Sequence, residues 1–479
     1  MPATVERRPR LAPDQRAIRT ISLRTLVRLG IVAGIAYAAV LAIESFGRTY
    51  VFFDMRIYHG AMVWWANGGE LYEYVAPGTT LGYTYPPFAA LAMVPMAVLP
   101  EIVAGWVNAV ASLTALAVVL TWLLVPIADR RGWPRWFVVA IAVSLAAATE
   151  PVRETIGFGQ VNLLLGLLVY ADMVALRNRH RYATDPTAKL PDDPVARLWR
   201  SGALAGVGVG LAAAIKLTPG LFVWYFVVTR QWRAALTAAG TAVGVTAATF
   251  FIDGRESTTY FGSVLWDTSR VGEVDATANQ SLAGMLARLY DSPTTPTLMW
   301  LAFAMLILTV GMSRAATAHR EGDELTAFTL VGLTTNVICP ISWSHHLIYV
   351  VPALVILADT ALRRRSAARG LTPRGLTPRG WLQRRPAGVP AFAGLRHALA
   401  AIGLYVLFVV SPIWRYEHKL PDVSHYADGL HGALAENSLA LALIALVVLL
   451  PWRPGAEPAF YPEPSLRERI PVGTAVRRS

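Results

Sequence analysis

Apolar stretches long enough to cross a bilayer recur along the whole chain of 479 residues. A helix needs roughly 20 apolar residues to cross a hydrocarbon core of about 30 Å, and this pattern predicts about twelve transmembrane helices. The stretches lie near 27–45, 103–126, 136–150, 161–176, 202–215, 218–229, 234–252, 297–313, 324–340, 347–362, 397–413 and 434–451. The chain is therefore predicted to be an all-α polytopic membrane bundle over 29–451.

A further apolar segment, 85–100, is too short to count as a span and carries four prolines. We place it in a large first external loop, 47–101, as a re-entrant or interfacial hairpin, because irregular backbone at membrane depth must be buried in protein or line a cavity. The preceding stretch 56–67, with Trp64 and Trp65, predicts a helix that lies in the membrane interface.

The distribution of charge predicts the orientation. A net charge of +12 would fit a nucleic-acid-binding protein, but 34 of the 43 Lys and Arg residues fall in segments that alternate on one side of the predicted spans. By the positive-inside rule that side is cytoplasmic. It includes the N-terminus 1–28, a linker 363–396 and a tail 452–479, while 253–296 forms a second external loop. Topology alone accounts for these basic residues, so no acidic or nucleic-acid partner is expected.

The polar motifs that are unusual for a membrane bundle all fall on the external side of this topology. They are Asp54 with Tyr58, the YPP motif at 85–87, GQVN at 159–162, KLTP at 216–219, NQS at 279–281 and SWSHH at 342–346. Ionisable groups near membrane depth are costly, which makes each one a functional hypothesis. The single cysteine, Cys339, excludes an internal disulfide and a multi-cysteine metal site.

Asp54 has two possible roles. A carboxylate beside the first span could remove a proton from a hydroxyl if its surroundings raise its pKa towards neutrality. It could equally cap the N-terminus of the predicted interfacial helix. The residues leave both roles open.

Lys216, His345 and His346 are candidates for binding an anion. Lys216 interrupts an apolar run just before Pro219, and it either binds phosphate or extends its ammonium to the interface. The adjacent histidines follow Trp343 and could form hydrogen bonds, pack at the interface or bind a metal; no carboxylate or cysteine is spaced to complete a metal site. The aromatic residues of the first external loop suit an interfacial belt or a sugar-binding surface.

The order of these motifs resembles glycosyltransferase family 87, the multi-spanning C-type glycosyltransferases of actinobacteria. The resemblance runs over roughly 30–450 and includes NQSLAG at 279–284. Within the family the chain is similar to the polyprenyl-phosphate-mannose-dependent alpha-1,2-mannosyltransferases of phosphatidylinositol mannosides and lipomannan. The absence of a P-loop and of a GxGxxG motif agrees with a lipid-linked donor.

The resemblance implies an inverting transfer of mannose to the 2-hydroxyl of an acceptor mannose at the outer face of the plasma membrane. Asp54 would be the general base, and Lys216, His345 and His346 would bind the donor phosphate. Hydrogen bonds and contacts to the sugars would come from Tyr58, Tyr85, Gln160, Asn162, Asn279, Gln280 and Trp343.

The implied partners are the lipid donor, a phosphatidylinositol mannoside-type acceptor and membrane lipids, with the protein acting as a monomer. No cofactor is implied, and no metal is expected, because position 56 is Arg where some relatives in the wider superfamily carry the second Asp of a metal-binding motif. Two alternatives remain: an arabinofuranosyltransferase that uses polyprenyl-phosphate arabinose, and a non-enzymatic lipid transporter.

Overall fold

The computed structural model describes residues 22–184, 189–267, 270–290, 294–368, 393–419 and 429–456. Over these ranges the chain is helical and forms no strand, only two isolated bridges between Val75 and Gly82 and between Asn279 and Trp343. The residues 1–21, most of the linker 363–396 and the tail beyond 456 lie outside the description, so the predictions made for them remain predictions.

The helices follow the apolar pattern closely. They are α1 (Leu23–Phe46), α2 (Phe53–Ala66), α3 (Pro87–Met93), α4 (Glu101–Arg131), α5 (Arg135–Ala147), α6 (Glu150–Phe158), α7 (Asn162–Thr184), α8 (Pro194–Arg200), α9 (Val207–Ile215), α10 (Leu221–Val228), α11 (Trp232–Ile252), α12 (Gly254–Gly262), α13 (Leu282–Leu289), α14 (Thr297–Arg320), α15 (Glu324–Ile338), α16 (Val350–Ala368), α17 (Leu395–Val410), α18 (Trp414–Lys419), α19 (Gly429–Glu436) and α20 (Ser438–Leu449). Short 3-10 helices cover Leu71–Glu73, Val94–Val98, Thr218–Gly220, Val264–Trp266 and Ser344–His346.

The number of spans agrees with the prediction only in part. Five of the described helices are long and apolar enough to cross a membrane, or up to seven segments if α5 with α6, bent by 75°, and α19 with α20, bent by 66°, each count as one span. Other predicted spans contain shorter helices, such as α9 and α10 on either side of the turn at Lys216. The protein is a multi-pass helical membrane protein, and the count of twelve is not confirmed.

Burial separates the lipid-facing helices from the central ones. In α1 only Ala39 is buried, and its exposed apolar side chains suit contact with lipid. In α15 every residue from Glu324 to Val337 is buried. Three threonines of α15 are tolerated there because their hydroxyls donate to carbonyls one turn earlier, as Thr329 does to Leu325 at 2.7 Å. The fourth, Thr326, donates to the Asp323 carboxylate.

The first external loop packs into a layer at one end of the bundle. Helix α2 buries Met55, Ile57, Tyr58, Ala61 and Met62 and contacts α4 and the 3-10 helix at Val94–Val98. The proline-rich segment forms α3 and that 3-10 helix, and α3 packs on α9 and α11. The structure thus buries the start of this segment, up to Ala90, but no residue of the 3-10 helix; its depth in the membrane stays a prediction.

At the opposite end of the bundle, the expectation that the basic residues need no acidic partner is wrong. Several basic residues assigned there by topology have acidic partners: Arg453 lies 2.7 Å from Asp323 and 2.9 Å from Asp359, and Arg363 lies 2.7 Å from Asp359. These side chains are largely buried, and a buried charge requires a partner. The start of the predicted tail, at Arg453, is therefore fixed to the bundle.

Candidate active site

A cavity of about 550 Å³ opens between the α2 layer and the bundle. It is bounded by segments far apart in the sequence, and eight of the eleven predicted site residues line it. These are Asp54, Tyr58, Tyr85, Gln160, Lys216, Trp343, His345 and His346. The fold therefore brings most of the external motifs to one place.

Asp54 faces this cavity from the first turn of α2. The helix begins at Phe53 with Phe52, in the left-handed region, as its N-cap. The Asp54 Oδ2 atom accepts a hydrogen bond from Gln160 Nε2 at 2.7 Å, and within the described residues no backbone N–H donates to its carboxylate. The capping interpretation is therefore wrong. Burial raises the pKa of Asp54 to about 6, which suits a general base.

Lys216 lies in the turn between α9 and the 3-10 helix at Thr218–Gly220, with its side chain directed inward. Its Nζ atom is 2.8 Å from His346 Nε2 and 3.2 Å from Asn162 Oδ1, and 5.4 Å from the centre of the Tyr85 ring. Burial lowers the pKa of Lys216 to about 8. An ammonium extended to the interface would show none of these contacts, so the structure favours the anion-binding interpretation.

The two histidines occupy different positions. The Nδ1 atom of His346 accepts a hydrogen bond from the Trp343 backbone N–H at 3.2 Å, so a neutral ring carries its proton on Nε2, facing Lys216. The contact then fits an uncharged amine best, and an anion in the cavity would favour the charged form of Lys216. His345 is buried and lines the cavity, and its Nε2 atom has no partner within the described residues.

Two other polar predictions do not reach the cavity. Asn279 is fully buried, and its side chain bonds to the backbone of Val274, Pro340 and Ser342. Gln280 likewise bonds to the carbonyls of Thr277 and Glu436 and to the Ala440 N–H. These amides hold the loop in place, and the predicted hydrogen bonds from them to sugars have no geometric basis.

Asn162 also lies behind the cavity. Its Nδ2 atom donates to the His345 carbonyl at 3.0 Å and its Oδ1 atom accepts from Lys216. Both groups of this buried amide are therefore engaged by the anion-binding residues. Asn162 supports Lys216 and the histidine loop rather than offering a group to a sugar.

Two arginines that the motif analysis missed also line the cavity, Arg48 and Arg270. Arg48 donates to Glu154 at 2.7 Å and lies 3.4 Å over the ring of Trp414, while Arg270 donates to the Tyr72 carbonyl at 2.5 Å. Both belong to the small set of basic residues on the predicted external side. The positive-inside rule makes basic residues rare on the external side. Their position there could therefore have marked both arginines as candidates.

The other carboxylates near the motifs are held in buried contacts. Glu154 binds Arg48 and the Ser344 hydroxyl, and Glu150 binds Arg153 and the Trp414 indole. Among the described residues Asp54 is the one carboxylate that lines the cavity. The cavity thus contains one carboxylate together with three Lys and Arg side chains.

Comparison with known proteins identifies a matching family and several relatives. The model of glycosyltransferase family 87 matches residues 83–340. A polyprenol-phosphate-mannose-dependent alpha-(1-2)-phosphatidylinositol mannoside mannosyltransferase of Mycolicibacterium smegmatis is 32% identical over 342 residues, which cover 67% of this chain and 72% of the relative. The protein of the same description from Mycobacterium tuberculosis is 32% identical over 71% of this chain and 78% of its own.

A third relative, a polyprenol-phosphate-mannose-dependent alpha-(1-2)-phosphatidylinositol pentamannoside mannosyltransferase of Mycolicibacterium smegmatis, is 30% identical over 71% of this chain and 76% of its own. Among solved structures, ArnT from Cupriavidus metallidurans bound to undecaprenyl phosphate aligns with 88% of this chain and 77% of its own, at 17% identity and a TM-score of 0.35.

Proposed function

The chain belongs to glycosyltransferase family 87, and we propose that it transfers mannose, with inversion, from polyprenyl-phosphate mannose to a mannose of a phosphatidylinositol mannoside or lipomannan acceptor. The observation that carries this proposal is that Asp54 and the contacting pair of Lys216 and His346 face the same cavity. The descriptions of the relatives supply the donor and the acceptor class.

The cationic side of the cavity suits the phosphate of the donor. Lys216, Arg48 and Arg270 supply positive charge and His345 and His346 supply ring nitrogens, and all five line one cavity. Cationic groups and hydrogen-bond donors stabilise charge that develops on a leaving group in a poorly hydrated site. Three of the nine Lys and Arg residues on the predicted external side therefore line this one cavity. The polyprenyl chain would extend towards the lipid.

The reaction needs one carboxylate. Asp54 accepts the proton of the acceptor 2-hydroxyl as that oxygen attacks C1 of the mannose, and the bond from C1 to the phosphate oxygen breaks with its electron pair leaving on the phosphate. Because phosphate leaves as an anion, no acid has to protonate it, unlike the leaving oxygen in a glycosidase. One base and a cationic pocket therefore complete the chemistry.

The donor can be tested with purified protein in detergent and a phosphatidylinositol mannoside acceptor. We expect transfer from polyprenyl-phosphate mannose and little from polyprenyl-phosphate arabinose, with the new linkage alpha as judged by nuclear magnetic resonance. Efficient arabinose transfer would instead make the protein an arabinofuranosyltransferase. If the protein instead moved lipid across the membrane of vesicles and transferred no sugar, it would be a transporter.

The same proposal includes an orientation. The bundle 29–451 would span the membrane about twelve times, with the cavity on the outer side and the segments 1–28 and 452–479 in the cytoplasm. Such a site would receive a donor that is already on the outer leaflet. The large loops 47–101 and 253–296 both contribute to its wall.

Cysteine labelling tests this orientation. In a Cys339→Ser background that keeps its activity, we expect Glu273→Cys to react in intact cells with a membrane-impermeant maleimide. Both Glu273 and Asp192 are exposed, so Asp192→Cys should react only after the membrane is permeabilised. The reverse pattern would contradict the topology and an external site.

A further inference from the structure

A closed ring of hydrogen bonds lies directly behind Asp54. The amide of Gln160 donates through Nε2 to the Tyr58 hydroxyl at 2.8 Å, Tyr58 donates to the Tyr85 hydroxyl at 3.1 Å, and Tyr85 donates back to Gln160 Oε1 at 2.9 Å. All three side chains are buried. The second N–H of Gln160 leaves the ring and donates to Asp54 Oδ2 at 2.7 Å.

The contact with Asp54 selects one orientation of the Gln160 amide. A primary amide has two N–H donors and one carbonyl oxygen, and each tyrosine hydroxyl donates once. The ring uses the carbonyl and one N–H, which leaves the other N–H for Asp54. If the amide were flipped, its carbonyl oxygen would face the carboxylate of Asp54. The carboxylate of Asp54 therefore selects the orientation that presents an N–H donor to it, and the ring holds the amide in that place.

The backbone around Gln160 is held as firmly as its side chain. Helix α6 ends with Gly159 in the left-handed conformation, at a φ of 74°. The N–H groups of Gly159 and Gln160 then bond to the carbonyls of Ile156 and Thr155, which is a Schellman motif. Asn108 Nδ2 also donates to the backbone carbonyl of Gln160 at 3.2 Å. The backbone of Gln160 is therefore held by α4 and α6 together, and this positions its side chain.

We propose that Tyr58, Tyr85 and Gln160 are positioning residues that hold Asp54 through Oδ2 and leave Oδ1 to accept the proton of the acceptor hydroxyl. This inference rests on the proposed general-base role of Asp54, and it replaces the sequence-based role of these three residues in binding sugar. Their hydroxyl and amide donors are all used within the protein. Within the described residues Oδ1 has no hydrogen-bond partner, which leaves it available on the cavity side.

Several charged groups act on Asp54 at the same time. Burial is the largest effect and raises its pKa, the Gln160 hydrogen bond and the charges of Lys216 and Arg48 lower it, and the charge of Glu154 raises it. Removing the Gln160 donor leaves the other groups in place. The pKa of Asp54 should then rise, so the acid limb of the rate profile should move to higher pH.

The test opens the ring at one bond. In Tyr85→Phe we expect kcat to fall about tenfold, as for the loss of one hydrogen bond, with the KM for the acceptor nearly unchanged. The acid limb of the pH profile of kcat/KM should move up by about one pH unit. Gln160→Met removes the donor to Asp54 itself and should produce both a larger loss and a larger shift, because in Tyr85→Phe the Gln160 N–H still faces Asp54.

Tyr83→Phe is the matched control. Tyr83 is buried and its ring lies 6.3 Å from Tyr58 and 6.1 Å from Tyr85, but its hydroxyl has no partner in the described part of the chain. Removing that hydroxyl should change neither kcat nor the pH profile. Thermal unfolding in detergent shows whether each variant folds, and Gln160→Met provides the same test if Tyr85→Phe does not.

A rise in the KM for the acceptor, with kcat and the acid limb unchanged, would show that these residues bind sugar and would overturn the proposal. The failure of the general-base hypothesis looks different. In that case Asp54→Asn would keep its activity, whatever the ring variants do. The positioning role alone fails if Asp54→Asn is inactive while Tyr85→Phe and Gln160→Met keep the wild-type profile.

Discussion

The Asp54→Asn variant is expected to fold, insert into the membrane and bind the lipid donor, yet to transfer almost no mannose. Loss of a positioned general base typically costs about 10²- to 10⁴-fold in rate. The asparagine carbonyl can still accept the hydrogen bond that Gln160 now gives to Oδ2, so the α2 layer keeps its main contact with this side chain. The measurement is mannose transfer per folded molecule, beside thermal unfolding in detergent.

Asp253→Asn is the matched control for that variant. Asp253 lies on the predicted external side, caps α12 through the Glu256 N–H and bonds to the Trp65 indole at 3.2 Å, but it does not line the cavity. Its replacement should leave the transfer rate nearly unchanged. If Asp54→Asn instead lost stability and kept its activity per folded molecule, Asp54 would be structural. No other described carboxylate lines the cavity, so the reaction would then need a different base.

The sequence was sufficient to predict the all-helical membrane fold and eight of the residues that line the cavity. Its apolar stretches are long, and its polar residues are few enough that each one near a helix end is conspicuous. Asp54, Lys216 and His346 were found in this way. Their contacts with each other and with Gln160 were not predictable, because they depend on how α2 packs against the turns after α6 and α9.

The wrong predictions of sugar-binding residues concern polar side chains that form their hydrogen bonds within the protein. Asn279 and Gln280 resemble sugar-binding amides in sequence, but a buried loop needs the same groups to pair its own backbone. The arginines Arg48 and Arg270 sit outside the motifs, so only their place on the external side marked them. The predicted count of twelve spans is not confirmed, in part because α9 and α10 are short helices separated by the turn that carries Lys216.

The second large effect is expected from Lys216→Ala. Removing one group that stabilises developing charge typically costs about 10² to 10³ in kcat, and Lys216 lies at hydrogen-bond distance from both His346 and Asn162. We expect a loss of this size in mannose transfer together with weaker binding of the donor. Lys216→Met keeps more of the side-chain volume and should lose activity to the same extent, which separates the lost charge from any loss of packing.

The pH profile distinguishes a charge at Lys216 from a structural contact. Asp54 must be ionised and Lys216 protonated, so with pKa values of about 6 and about 8 the wild-type kcat/KM should fall on both sides of that interval. Lys216→Arg carries a group that does not lose its proton in this range. It should abolish the alkaline limb and keep the acid limb, with only partial activity because the planar guanidinium differs in shape from an ammonium. Wild-type activity in a folded Lys216→Ala protein would contradict a phosphate role, and an alkaline limb that persisted in Lys216→Arg would assign that limb to another group.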